Sequence, residues 1–229
     1  MVDVADIIIV GAGASGAAAA WSLSQLRGIK IVCLEQGDHT IPSTYPSTTM
    51  DWELRRQSDF NVSPNVRKLV ADYPINDADS PISIANFNAV GGSTILYSGH
   101  FPRLHPSDFK VKSFDDVGTD WPLSYADLEP FFELNEQMMG VAGLVGDPAY
   151  PDYKSLLPPI PLGQMGNTLA RAFNTLGWHW WPAYSAINTR KHLNRGSCIN
   201  LGPCNTGCSQ GAKSSVDVTY WPIARQHGV

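Results

Sequence analysis

The feature that most constrains this chain is the order of events in its first thirty-five residues. Asp6-Ile7-Ile8-Ile9-Val10 is an apolar, largely β-branched run of strand length, and it leads directly into Gly11-Ala12-Gly13-Ala14-Ser15-Gly16. A segment rich in helix formers follows from Ala17 to Leu26, with Gly28 placed as a C-cap. A second apolar run, Ile29 to Leu34, ends in Glu35. Strand, G-x-G-x-x-G turn, helix, strand and terminal acid in this register form a dinucleotide-binding fingerprint, and every context test of that fingerprint is met, which weighs against a bland surface loop. Gly11 permits the tight turn, Gly13 lets backbone approach a pyrophosphate, and Gly16 lets the helix lie close on the sheet. The pyrophosphate would meet unpaired N–H groups and the positive helix end together. Glu35 can accept hydrogen bonds from ribose hydroxyls and would repel a 2′-phosphate, which disfavours NADP. The fingerprint alone leaves NAD and FAD open.

At 229 residues the chain can hold one large or two small domains. A net charge of −5 supplies no basic field for nucleic acid or anionic lipid. No apolar run is long enough to span a membrane. The N-terminus has no basic region before its apolar run, so a signal peptide is rejected and a cytoplasmic location is expected. Four cysteines do not make a disulfide scaffold at this length. Seventeen prolines and seven tryptophans point instead to long, irregular, aromatic segments packed on a core.

Residues 39–85 are polar and interrupted by Pro42, Pro46, Pro64, Pro74 and Pro81, so a lid and a plain surface excursion are equally good readings. Gly91-Gly92 allows close backbone approach, and Ser93 and Thr94 add hydroxyls; a simple turn before a strand fits the same residues. Ser124 with Asp127 three residues on predicts a capped helix that ends at Gly140. A second amphipathic helix is predicted from Asn167 to Leu176, stopped by Gly177. Trp178-His179-Trp180-Trp181-Pro182 reads as an aromatic strand, a packed one in preference to a pocket wall. Cys198, Cys204 and Cys208 form a C-x5-C-x3-C cluster, followed by Gly211-Ala212-Lys213-Ser214-Ser215 and an amphipathic segment to Ala224. The chain stops at Gln226-His227-Gly228-Val229 where a further strand is expected, and its C-terminus is read as a cut.

Three matches coincide in order. The N-terminal βαβ with Glu35 resembles an FAD fingerprint, and Val90 to Arg103 resembles the first signature of the glucose-methanol-choline (GMC) oxidoreductases. Asp120 to Leu128 with Gly140-Val141, and Arg195 through Ser215, are similar to the bacterial dehydrogenase branch of that family. The fold class implied is α/β, an incomplete Rossmann-like FAD-binding domain with an inserted, partly irregular α+β region on the substrate side. Residues 1–38, 86–110 and 195–229 are assigned to the FAD-binding domain, 39–85 to a lid or insertion, and 111–194 to the substrate-side cap.

The resemblance implies oxidation of an alcohol or sugar hydroxyl to a carbonyl by hydride transfer to flavin N5. By that match Gly11, Gly13, Ala14, Ser15 and Gly16 hold the pyrophosphate, Glu35 holds the ribose, and Gly91, Gly92, Ser93, Tyr97, Ser98 and His100 meet the flavin. Tyr97 departs from the pattern, since many members carry Asn there. Leu96 stands where some members attach flavin through His, so the FAD is expected to be noncovalent. No catalytic base is assigned: the family's catalytic histidine lies in a C-terminal half missing from this chain, and His39, His100, His105, His179, His192 and His227 do not match its motif.

Some multi-subunit members carry a three-iron cluster on a similar cysteine-rich stretch and pass electrons to a partner subunit. For Cys198, Cys204 and Cys208 the preferred reading is a glycine-punctuated loop with small thiols; an iron–sulfur cluster is the alternative, or zinc with His192 as fourth ligand. Cys33, in a buried strand, is expected to be inert. The rival functions are an NAD-binding dehydrogenase and a non-catalytic, truncated nucleotide-binding fragment.

Overall fold

The computed structural model describes residues 4–229. Two compact units divide it, one formed by residues 4–99 and 198–229, the other by His100–Ser197. The boundaries between the units fall at 99/100 and 197/198. Residues 39–85 belong to the first unit.

The first unit starts with β1 (Ile7–Val10), α1 (Ala14–Leu23) and β2 (Ile31–Leu34). β1 and β2 pair in parallel with Ile7 opposite Ile31 and Val10 opposite Leu34. Parallel neighbours need a crossover, and α1 supplies it. α1 ends at Leu23, short of the predicted Leu26. The Ser24 hydroxyl and the Gln25 amide both donate to the Trp21 carbonyl and close the last turn early. Ala17 and Ala20 are fully buried, so the helix backbone lies close on its neighbours. Ile8 (61% exposed) and Val10 (84%) leave the outer face of the two-stranded sheet open, whereas parallel sheets are ordinarily covered on both faces.

The 39–85 segment carries two short helices, α2 (Trp52–Gln57) and α3 (Pro64–Arg67). Its organiser is Arg67, whose guanidinium forms a bidentate pair with Asp72 and donates to the carbonyls of Asn61 and Asn86. The same group lies over an aromatic ring, with its central carbon 4.9 Å from the centre of Phe87. A buried arginine is tolerated when each donor is satisfied in this way. The segment is also fastened to the cysteine loop, since the Ser47 hydroxyl donates to that of Ser209 at 2.9 Å.

The second unit contains α4 (Val111–Asp115), α5 (Tyr125–Met139) and α6 (Gly163–Leu176). α5 begins with the expected reciprocal box, in which Ser124 Oγ accepts the Asp127 N–H and Asp127 accepts the Ser124 N–H. Gly140 and Gly177 close α5 and α6 in the left-handed conformation. Arg103 is the polar centre of this unit. It pairs with both carboxylate oxygens of Glu136, donates to Tyr125 Oη at 2.7 Å, and lies 4.3 Å from the ring centre of Tyr153. The predicted strand at Trp178–Pro182 has no ladder. Its indole N–H groups go elsewhere, from Trp180 to Asn174 Oδ1 and from Trp181 to the Leu144 carbonyl. In the first unit, α7 (Tyr220–Gln226) packs on α1, with Trp21 and Tyr220 edge to face at 5.7 Å.

Candidate nucleotide site

Three segments of the first unit converge on the glycine turn. At the end of β2, Glu35 turns back and accepts two backbone N–H groups, Ala12 on Oε2 at 2.7 Å and Gly37 on Oε1 at 2.9 Å. The Ala12 carbonyl in turn accepts the Gly91 N–H at 3.0 Å and the Trp221 indole N–H at 2.8 Å. The turn is therefore held from β2, from the Gly91-Gly92 loop and from α7.

Two glycines are demanded by close approach. A Cβ on Gly16 would lie 1.9 Å from the Gly11 carbonyl oxygen, and one on Gly92 would lie 2.9 Å from the Gly13 Cα. In front of Gly13 the space is open, with nothing within 4 Å of where a Cβ would stand. The first-turn N–H groups of α1 belong to Ala14, Ser15 and Gly16, and a helix cannot satisfy these internally. Ala14 and Ser15 are exposed. An anion can thus reach amides, a positive helix end and a bare glycine at one place.

Beside this turn is a cavity of about 170 Å3 whose lining includes Ala12, Glu35, His39, Val90, Trp221 and Arg225. Cys33 lines it too, and burial, followed by the charge on Glu35, pushes its thiol up, which disfavours the reactive thiolate. The sequence reading missed Trp221, Arg225 and His39. No local signal marks them, because Trp221 reaches Ala12 across 209 positions. These features fit an adenosine diphosphate moiety: open amides for the pyrophosphate, a fixed carboxylate for ribose hydroxyls and an indole-lined hollow beyond.

The 91–100 segment is a 3-10 turn, Gly92–Ile95, and not the start of a strand. Gly91 and Gly92 lie against the glycine turn. Ser93 is exposed, and its hydroxyl accepts the Phe87 N–H. Tyr97 sends its hydroxyl to the Ser214 carbonyl at 2.5 Å. Ser98 is exposed. Leu96 is buried in an apolar cluster with Tyr45, Phe87, Ala89 and Ile95. His100 belongs to the second unit, where it bridges to Ser185.

Other histidines have partners of their own. His105 stacks on Tyr150 at 4.0 Å, His179 pairs with Asp147 at 3.0 Å, and His192 Nε2 meets the Gln137 carbonyl at 2.6 Å. His192 lies in the second unit and the three cysteines of the cluster in the first. Among the described residues, no three His, Cys, Asp or Glu side chains converge to hold a metal ion. Cys198 is exposed and Cys204 and Cys208 are half-buried; Cys208 Sγ accepts the Lys213 N–H at 3.5 Å. No helix of the described residues is long and apolar enough to cross a membrane.

Comparison with known proteins gives the same frame. Residues 9–73 match the NAD(P)-binding Rossmann-like domain model. The chain is 39% identical over 226 residues to a 2-methyl-1,2-propanediol dehydrogenase of Mycolicibacterium austroafricanum, covering 97% of this chain and 40% of that protein. It is 28% identical over 227 residues to the fructose dehydrogenase large subunit of Gluconobacter japonicus, covering 91% of this chain and 41% of that one. A fungal aryl-alcohol oxidase structure superposes with a TM-score of 0.50 at 17% identity, over 97% of this chain and 37% of that chain, a likeness of fold. The chain spans about two-fifths of the length of the curated relatives it matches. These relatives are GMC-family oxidoreductases, and the likeness runs over nearly the whole of this chain.

Proposed function

We propose that this chain forms the nucleotide-holding part of an FAD-dependent enzyme that oxidises an alcohol or sugar hydroxyl to a carbonyl. The observation that carries the reading is the Glu35 carboxylate, fixed by the N–H groups of Ala12 and Gly37 beside the open face of Gly13. Each carboxylate oxygen has a second lone pair for a ribose hydroxyl. The amides of Ala14, Ser15 and Gly16 receive the pyrophosphate, and the negative charge of Glu35 turns away a 2′-phosphate. Gly91 and Gly92 bring backbone, free of side chains, to the edge of that site. When bound, FAD supplies the hydride acceptor, and the protein contributes orientation and charge. The expected attachment is noncovalent, because Leu96 is a buried aliphatic residue without a nucleophile. No base for the hydroxyl proton is assigned to this chain.

The names of the relatives, a diol dehydrogenase and the large subunit of a sugar dehydrogenase, support the substrate class and leave room for an electron-accepting partner subunit. The test is direct. Protein purified without added cofactor is denatured, and the released nucleotide is identified by chromatography. FAD near one per chain is expected, and bound NAD in its place overturns the reading. Dye reduction by the complete protein is then measured with 2-methyl-1,2-propanediol, other small diols and sugars, and the absence of turnover on all of them rejects the substrate class.

A further inference from the structure

The least expected side chain of the first unit is Lys213. It is 1% exposed, among the largest fully buried side chains described, and lysine is almost never found there. Packing alone would be served better by leucine or methionine, because burial in a low-dielectric interior disfavours an ammonium. What it gains is a set of backbone acceptors. Nζ donates to the carbonyls of Ile95 at 2.7 Å, Tyr97 at 2.8 Å and Thr94 at 3.3 Å, and it lies 4.8 Å from the centre of the Tyr97 ring. These carbonyls close the 3-10 turn Gly92–Ile95 and the residues just after it, where a helical turn leaves acceptors unpaired.

Two more bonds join the same strips of chain. The Val216 N–H donates to Thr94 Oγ1 at 3.1 Å, and the Tyr97 hydroxyl donates to the Ser214 carbonyl. Residues 212–216 are all buried, so this side of the grip is shielded from water. At its other end the turn leans on the pyrophosphate loop, through Gly91 N–H to the Ala12 carbonyl and through the close fit of Gly92 on Gly13.

We propose that Lys213 is a positioning residue: its buried ammonium locks the Gly91–Tyr97 turn against the Gly11–Gly16 loop and so fixes the backbone that faces the cofactor. The cofactor half of this statement rests on the flavoprotein reading; the lock itself does not. An aliphatic side chain of similar length fills the hole without donating, so the turn loosens while the rest of the unit stays folded.

The test compares the intact protein with K213M. Hydrogen exchange is followed in peptides spanning 91–97, with β1 and α5 as references. FAD dissociation and the visible circular dichroism of bound flavin are followed in parallel. Exchange at 91–97 is expected to rise at least about tenfold, as for loss of a charge-assisted bond, with both references unchanged. FAD release is expected to quicken by about the same factor and the flavin dichroism to change. Unchanged exchange, a uniform rise in all peptides, or a local rise with unaltered FAD release and dichroism each overturns the proposal. If K213M does not fold, Y97F decides by the same readings, since it removes the hydroxyl bond to Ser214 from the other side of the lock. Wild-type protein that binds no FAD would overturn the flavoprotein reading and the cofactor half together, while the exchange comparison still decides the lock.

Discussion

Glu35 Oε2 accepts the backbone N–H of Ala12 at 2.7 Å, across the 23 residues that separate the two ends of the βαβ unit. The acid expected to hold a ribose therefore already organises the loop expected to hold the pyrophosphate. Substituting it affects fold and ligand together. Glu35→Ala removes two charge-assisted bonds, each worth about 1.5–3 kcal/mol. The expected outcome is a lower denaturant midpoint in the cofactor-free protein and lower FAD occupancy after gel filtration. Retention of both would show that the carboxylate serves neither purpose.

Gly16 is the most intolerant position of the loop. An added methyl would overlap the Gly11 carbonyl, which is backbone and cannot swing aside. Gly16→Ala is expected to cost about 3 kcal/mol, the upper end for overpacking, by urea unfolding. Gly196→Ala is the control, because nothing lies within 4 Å of its Cβ position, and it should stay within about 0.5 kcal/mol of wild type.

The second unit turns on Arg103 and Glu136. Glu136→Ala leaves an arginine buried beneath Tyr153 without its carboxylate, a change expected to cost about 3–5 kcal/mol. Arg103→Met combined with Glu136→Leu removes both charges and should recover much of that loss. A double variant no more stable than the single one would mean that the pair contributes shape rather than charge balance.

What could be read from the sequence was what short-range chemistry encodes. The glycine loop, the acid after β2, the Ser124–Asp127 box and the caps at Gly140 and Gly177 each lie within a few turns of the element they shape. The illegible parts are long-range. Arg67 collects carbonyls from Asn61 and Asn86, Trp221 reaches back to Ala12, and Lys213 reaches Ile95 across 118 positions. Nothing in apolar periodicity announces such bonds. Trp178–Pro182 misled for a related reason: aromatic content suits a strand, but the indoles found side-chain and loop acceptors and no partner strand formed.

Lys213 also makes a prediction about pH. Burial pushes its ammonium from 10.5 down to about 8, while Cys204, Cys208 and Asp217 pull the other way. The folded state therefore gives up this proton earlier than the unfolded chain does. Between about pH 8 and 10.5 the unfolded state holds more protons, so this group's contribution to stability rises with pH. Below pH 8 the cost of the buried charge is present in full; above 10.5 it is gone. The rise amounts to about 3 kcal/mol at 1.36 kcal/mol per pH decade. The Cys204 thiol, held up chiefly by burial, works in the opposite sense over part of this range, and so do the buried tyrosines. Wild type must therefore be compared with Lys213→Met at each pH. The stability of wild type relative to the variant is expected to climb from pH 8 to 10.5 in urea titrations. A flat difference would mean that the carbonyls of Thr94, Ile95 and Tyr97 hold the proton as well as water does.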